Sequence, residues 1–226
     1  MAIFSELEVW IDSQPRTAVE NMAIDQLLLE SSLTVPLIRF YQWSEPSVTL
    51  GYFEKLSDAK RDFPGDDLNY VRRWTGGGIV DHREDETYSI FLPKGHAVEQ
   101  LRGDGSYAAI HQALTISLQG CGVECGLTEK VSDSDARSCF VKPVPFDIID
   151  GSGVKLAGAG QKRSRYGLLH QGSVQGVNDL ALWQQLFTDA LADSITQKDI
   201  IPDKLGDVSE VVTQRYSTEA WTAKRP

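Results

Sequence analysis

The sequence predicts an α+β fold: a mixed, mostly antiparallel sheet with flanking helices. Short runs rich in β-branched and aromatic residues follow one another directly, as at residues 37–42 and 48–51. Only a few long stretches carry a helical period, chiefly 18–30, 106–118 and 179–192. Turn residues join neighbouring strands, as Asp150-Gly151-Ser152-Gly153 does. A doubly wound sheet would instead alternate strand and helix throughout.

Taken in order, residues 7–11 read as a strand. Thr17-Ala18-Val19-Glu20 is a capping-box pattern that opens a helix to about Glu30, with Val19, Met22, Ala23 and Leu27 as its apolar face. Strands follow at 37–42 and 48–51, with Pro46 in the turn between them. Residues 54–62 form a short helix that Pro64 ends. Residues 69–74 are a strand, three glycines break it, and Ile79-Val80 restart it. Residues 87–92 are another strand.

Ile110, Leu114 and Leu118 place one face of the helix over 106–118, which Gly120 and Gly122 stop. Residues 145–149 and 154–159 read as a hairpin, and 168–174 as the next strand. Asn178 caps a last helix to about Ala192, with Leu182, Leu186 and Ala190 on one face. The final 30-odd residues show no clear period.

Composition narrows the function. The chain has 226 residues with 22 Lys and Arg against 32 Asp and Glu, a net charge of −10. That argues against a generic nucleic-acid surface, which needs a basic footprint, and against adhesion to an anionic membrane. Residues 1–10 have neither the basic nor the apolar region of a secretory signal. No apolar run approaches the roughly 18 residues of a membrane span. The expectation is a cytoplasmic chain forming one domain over 1–226, with its core at about 8–192. Its three cysteines, Cys121, Cys125 and Cys139, make no disulfide framework. Cys121 and Cys125 read as small buried hydrophobes, and no metal site is expected.

Three segments carry chemistry. Residues 72–82 read Arg-Arg-Trp-Thr-Gly-Gly-Gly-Ile-Val-Asp-His. Three glycines let a backbone approach a ligand closely, although a plain turn between strands has the same composition. No Gly-Lys-Ser/Thr follows, so this is not a phosphate loop. The second segment is Ser138-Cys139-Phe140. The third runs Val154-Lys155-Leu156-Ala157-Gly158-Ala159-Gly160-Gln161, followed by His170-Gln171-Gly172-Ser173. Lysine seldom sits unpaired in an apolar strand, though a snorkelling surface lysine fits the same pattern. Residues 136–178 hold six basic side chains against two acidic ones, a net of +4 that leaves −14 for the remainder. Such an island suits an anionic substrate or an acidic partner, and equally a solvated loop.

Together these blocks resemble the superfamily of lipoate–protein ligase, octanoyltransferase and biotin ligase catalytic domains. The resemblance runs through Trp10-Ile11-Asp12-Ser13, Asn21-Met22-Ala23-Ile24-Asp25, Ile38-Arg39-Phe40-Tyr41-Gln42-Trp43, Leu50-Gly51-Tyr52-Phe53, the 72–82 block, Thr87-Tyr88-Ser89 and the Lys155 segment. It covers about residues 8–190. Within the superfamily, Cys139-Phe140 with Pro143, then a strand, then the Lys155 segment is similar to the cysteine-dependent octanoyltransferases.

The resemblance implies a nucleophile at Cys139 and its partner at Lys155. It implies substrate contacts from Arg73, Thr75, Gly76, Gly77, Gly78, His82, Gly158, Ala159, His170 and Gly172; His82 reads equally as a structural histidine. The implied activity moves an octanoyl group from acyl carrier protein to a lysine of a lipoyl domain or of the glycine cleavage H protein. A thioester donor needs no cofactor. Burying about seven acyl carbons at roughly 0.8 kcal/mol each requires an apolar tunnel, for which Tyr52-Phe53 and residues 74–79 are candidates. The alternatives are an ATP- and Mg²⁺-dependent lipoate ligase, a lipoyl-relay amidotransferase and a non-catalytic acyl-binding paralogue. The ligases often carry an accessory domain, for which the tail is short. Three positions depart from the transferase pattern. Gly78 stands where arginine is usual, His170-Gln171-Gly172 replaces Gln-His-Gly or His-His-Gly, and Pro143-Val144-Pro145-Phe146 replaces Pro-Ser-x-Tyr.

Overall fold

The computed structural model describes residues 2–128 and 144–224. An eight-stranded sheet has the order β11-β1-β2-β6-β10-β9-β8-β7. Its strands are β1 (Leu7–Arg16), β2 (Leu37–Trp43), β6 (Glu86–Pro93), β7 (Cys125–Leu127), β8 (Ile148–Asp150), β9 (Lys155–Arg163), β10 (Gly167–Val174) and β11 (Ile195–Gln197). Only β1 pairs in parallel, with β2 and β11; the other neighbours are antiparallel. The mixed, mostly antiparallel α+β expectation therefore holds.

A second sheet of three strands has the order β4-β3-β5, from β3 (Ser47–Leu50), β4 (Asn69–Arg72) and β5 (Ile79–Asp81). Helix α2 (Leu56–Asp62) connects β3 to β4, which lie parallel. The glycine block spans the gap between β4 and β5.

Helix α1 (Ala18–Glu30) opens on the predicted capping box. The Thr17 hydroxyl accepts the Glu20 N–H, and Glu20 returns a bond to the Thr17 N–H at 2.9 Å. Its burial differs from the single stripe expected, since Asn21, Asp25 and Gln26 are buried with Met22, Ile24 and Leu28. One side meets the large sheet through Ile24, Leu28 and Phe91. The other meets the C-terminal tail through Met22, Ala18 and Tyr216. A helix covered on two sides has no single polar face for a sequence pattern to show.

Helices α3 (Gly105–Gly120) and α4 (Leu180–Leu191) cover the opposite face of the sheet. Ile110, Leu114 and Leu118 are fully buried, as their spacing predicts. In α4 the buried face is Trp183, Phe187 and Leu191, one residue beyond the expected Leu182, Leu186 and Ala190. Leu182 is 40% exposed. The two aromatics offer more apolar area and decide the rotation. The cap is Asp179, whose carboxylate accepts the Leu182 N–H at 3.0 Å, and not Asn178.

Strand β6 expected as alternating is buried from Thr87 to Pro93, because it is central and covered on both faces. Strand β8 begins at Ile148, later than expected, and β9 continues to Arg163. Strands β7 and β11 have only three residues each and carry no alternation to read.

The tail without a clear period forms short helical turns that include α5 (Val208–Val211) and α6 (Glu219–Thr222). Buried Arg72 secures it. Its guanidinium donates to the Trp221 and Thr222 carbonyls on one side, and to the Gly51, Tyr52 and Glu54 carbonyls on the other. No helix among the described residues is long and apolar enough to cross a membrane.

Candidate active site

The glycine block is built as a backbone strap. Arg73 and Tyr52 donate their N–H groups to Leu50 and Thr75, and the Gly51 N–H donates to Gly78, which binds the block to the end of β3. On its other side the Gly76 N–H reaches the Gln161 carbonyl at 3.2 Å. A Cβ at Gly51 would overlap the Gly77 carbonyl, and one at Gly160 would overlap the Gly76 carbonyl. Gly77 itself has φ +86°.

Arg73 lies beneath the strap. Its guanidinium donates to the carbonyls of Thr49, Gly76 and Gly78 and to the Thr49 hydroxyl, at 2.6–3.2 Å. Arg73 therefore braces the glycines, while its edge borders a pocket.

That pocket lies between the strap, β9, β10 and α1, and holds about 430 Å³ including its open mouth. Met22, Tyr41, Trp43 and Val80 form an apolar wall, and Lys155, Gly158 and Gly160 lie across it. The wall comes from α1, β2 and β5 rather than from Tyr52 and Phe53, which lie beyond the strap.

Lys155 opens β9 and is only 4% exposed. Its Nζ is 2.7 Å from Asp147 Oδ2, and Asp147 is fully buried. The Val144 N–H donates to the same oxygen at 2.8 Å. The Tyr107 hydroxyl donates to Asp147 Oδ1 at 2.5 Å and accepts the Ala159 N–H at 3.0 Å. Burial and the Asp147 charge push the Tyr107 phenol well up, so it stays a donor. This is a lysine held in one place by a carboxylate whose own partners are satisfied, not a snorkelling side chain. A Cβ at Gly158 would come within 2.5 Å of the Lys155 ammonium.

Among the implied contacts, Arg73, His82, Lys155, Gly158, Ala159 and Gly172 border the pocket. Thr75, Gly76, Gly77 and Gly78 support it from behind. His170 is on the other face of β10. Successive strand residues alternate in direction, so His170 turns to α3 while Gln171 turns to the pocket. The Gln161 amide donates to His170 Nδ1 at 3.0 Å, which leaves Nε2–H to donate to Tyr88 at 3.2 Å. Burial lowers the His170 imidazole well below its ordinary range. Cys139 lies outside the described residues.

His82 stacks on Trp43 with ring centroids 4.1 Å apart. Its Nδ1 is 2.8 Å from Asp85 and its Nε2 is 2.7 Å from the Thr49 hydroxyl, which also accepts from Arg73. Ser173 donates to the same Asp85 carboxylate. His82 thus ties the strap's arginine to the pocket wall.

The sequence reading missed Asp147, Tyr107 and Gln171. Gln171 accepts from Thr75 at 2.7 Å and donates to Asp25 at 2.8 Å, which joins the strap to a buried Arg39 cluster. Only the offset of Gln171 from Gly172 in the departed motif signalled it. Among the described residues, no group of three or more His, Cys, Asp and Glu is placed to hold a metal ion.

Fully buried His111 of α3 lies behind Tyr107, with ring centroids 4.0 Å apart. Its Nδ1–H donates to the Phe146 carbonyl at 2.7 Å. Burial pushes its imidazole down to about 4, against the pull of Asp147. An unfolded histidine titrates near 6.5. Between those values the unfolded chain binds a proton that the folded chain refuses, so stability falls as pH drops from about 6.5 to about 4. The loss reaches about 3 kcal/mol at the acid end. The thermal midpoint is expected to fall through this window and to fall less in His111→Asn. Equal slopes for the two proteins would refute the assignment.

Residues 17–224 match the lipoyl protein ligase A/B catalytic domain family. Octanoyltransferase LipM of Oceanobacillus iheyensis is 33% identical over 177 residues, covering 74% of this chain and 64% of that relative. Octanoyltransferase LipM of Carboxydothermus hydrogenoformans is 33% identical over 206 residues, covering 86% and 74%. The chain thus spans less than two thirds of the length of the first relative and about three quarters of the second. Among solved structures, protein Ta0514 of T. acidophilum superposes with a TM-score of 0.75 at 17% identity, over 99% of this chain and 100% of that one. That likeness concerns the fold.

Proposed function

This chain belongs to the lipoyl protein ligase A/B catalytic domain family, and on that footing we propose that it transfers an octanoyl group through a thioester on Cys139 to a protein lysine. One observation carries the reading: the buried Lys155–Asp147 pair lies across a pocket from an apolar wall of Met22, Tyr41, Trp43 and Val80. Relatives named as octanoyltransferases support the choice of acyl group.

In this reading the acyl chain lies along Met22, Tyr41, Trp43 and Val80, with its carbonyl toward Lys155 and Gly158. The Cys139 thiolate attacks the thioester carbonyl of octanoyl carrier protein. The C–S bond to the carrier breaks, the carrier thiol leaves and takes up a proton, and octanoyl-Cys139 remains. The amine of a lysine on a lipoyl domain or H protein then attacks that carbonyl. The amide forms, the proton passes to the departing sulfur, and Cys139 is regenerated. A thioester exchanged for a thioester costs little, and the amide is downhill, so no ATP is consumed.

An unperturbed cysteine has a pKa of about 8.5 and is only a few per cent thiolate at pH 7. A neighbouring ammonium favours the thiolate, by about 1.4 kcal/mol for each unit of pKa. Asp147 keeps Lys155 oriented for that task.

The test mixes the protein with octanoyl carrier protein, without ATP, and follows intact mass. One octanoyl adduct is expected on the wild type and none on Cys139→Ser, with transfer to a lipoyl domain following. Acylation of the acceptor only from free acid plus ATP and Mg²⁺ would overturn the thioester route and select the ligase chemistry.

A further inference from the structure

Beyond the strap, three cations and three aromatic rings form a closed, alternating circuit. Lys162 lies over Tyr52 and Trp74, at 5.9 and 5.5 Å from the ring centroids. Arg215 lies over Trp74 and Trp221, at 5.5 and 5.0 Å. Lys224 lies over Trp221 and Tyr52, at 5.1 and 4.7 Å, and donates to the Tyr52 hydroxyl. Beside the circuit, Phe53 is 66% exposed and stands edge-on to Tyr52.

Lys60 and Arg165 also lie over single rings, Tyr70 and Tyr166, but only here do three cations gather among the described residues. Acidic side chains outnumber basic ones, and Arg16, Arg61, Arg83, Lys94 and Lys198 each hold a carboxylate. Lys162, Arg215 and Lys224 hold none among the described residues; Arg215 bonds the Gln26 amide oxygen instead. Three like charges are gathered on aromatic faces, which hold cations without neutralising them. Among the described residues no carboxylate offsets their repulsion, so an anionic surface brought to the circuit would be attracted to it. The tyrosine, tryptophan and arginine side chains, with an exposed phenylalanine at the edge, also have the composition of protein-interface anchors.

Position selects the partner. Gly160 borders the pocket, and Lys162 is two residues farther along the same face of β9. Arg73 borders the pocket, and Trp74 follows it in the chain. A lysine side chain is only four methylenes long, so an acceptor protein must dock beside the pocket for its amine to reach the acyl carbon.

We propose that the circuit of Lys162, Arg215 and Lys224 with Tyr52, Trp74 and Trp221 is the docking face for the acceptor, a protein domain with a carboxylate-rich surface around its target lysine. The proposal rests on the acyl-transfer reading for the identity of that acceptor. The carboxylates neutralise the three cations, and Phe53 enters the interface as its apolar contact.

The test uses Lys162→Glu/Lys224→Glu and the milder Lys162→Gln/Lys224→Gln. Direct binding of an unmodified lipoyl domain is measured at about 50 mM and 500 mM salt. The glutamate pair is expected to weaken binding at least tenfold at low salt, with the glutamine pair between it and wild type. The gap should narrow at high salt, where exposed charges are screened. Octanoylation of the enzyme by an uncharged small thioester, read by intact mass, should match wild type in both variants. Equal affinities at low salt, or no binding to wild type, would overturn the docking face. Charge-dependent binding by a wild type that accepts no octanoyl group would uphold the docking face and reject the chemistry instead.

Discussion

Replacing Arg39 by methionine is expected to destabilise the fold by about 3–5 kcal/mol, the cost of leaving a buried charge without its partner. Arg39 is fully buried in β2, between β1 and α1. Its guanidinium meets Asp12 at 2.7 Å, Asp25 at 2.8 Å and the Asn21 side chain at 2.7 Å. Its plane also lies 4.3 Å from the Tyr41 ring centroid. Methionine fills similar space, so the expected loss is mainly electrostatic. Asp12 would keep Arg16, and Asp25 would keep Ser89 and Gln171, but two carboxylates would remain in a site built around one cation.

For a chain of this length each kcal/mol moves the melting temperature by about 2–4 °C, so a drop of roughly 10 °C is expected. Adding Asp12→Asn and Asp25→Asn to Arg39→Met should recover much of it, since the uncompensated charges are then gone. A loss below about 1 kcal/mol in the single variant would contradict the account. The effect should reach the pocket too, because Asp25 holds Gln171 and Gln171 holds Thr75.

The second large effect is expected at Lys155 and its positioning partner Asp147. Lys155→Met should lower the rate of enzyme acylation about 10²–10³-fold, the range for removing a positioned donor at a reacting carbonyl. Asp147→Asn should lower it about 100-fold, because a reacting group displaced by an ångström costs about that much. Lys155→Met alone leaves Asp147 buried without its cation, so its folding stability should fall as well. The double variant Lys155→Met/Asp147→Asn separates the two effects: stability should return while acylation stays slow. The rates should also be non-additive, since the pair acts as a unit. A double variant that acylates at the wild-type rate would exclude the pair from the chemistry.

Long elements with one wet face were legible in the sequence. The capping box of α1 is local chemistry among residues 17–20, and it appears as expected. The Ile110, Leu114 and Leu118 stripe is a periodicity that any single-sided helix must show. The glycine block was readable as a place of close backbone approach, but its partners, the backbones at Gly51 and Gly160, came only from the fold. Elements covered on both sides were not legible. Helix α1 buries Asn21, Asp25 and Gln26 because partners from β2, β10 and the tail satisfy them, and those partners are distant in sequence.

The candidate site divides along the same line. Residues of the strap, with Lys155, Gly158 and Ala159, stand out from local composition and from resemblance. Asp147 has no local mark; it matters because a hairpin returns Lys155 to it and α3 brings Tyr107 to its other oxygen. His170 and Gln171 differ by one position on β10, yet pleating sends one to α3 and the other to the pocket.

Composition, caps and periodicity are properties of neighbouring residues, so the chain alone carries its fold class and its family motifs. Which carboxylate holds the lysine, which residues form the apolar pocket wall and where the described cations gather depend on contacts between distant segments. Those pairings exist only once the sheet has set its register and the helices have closed over it.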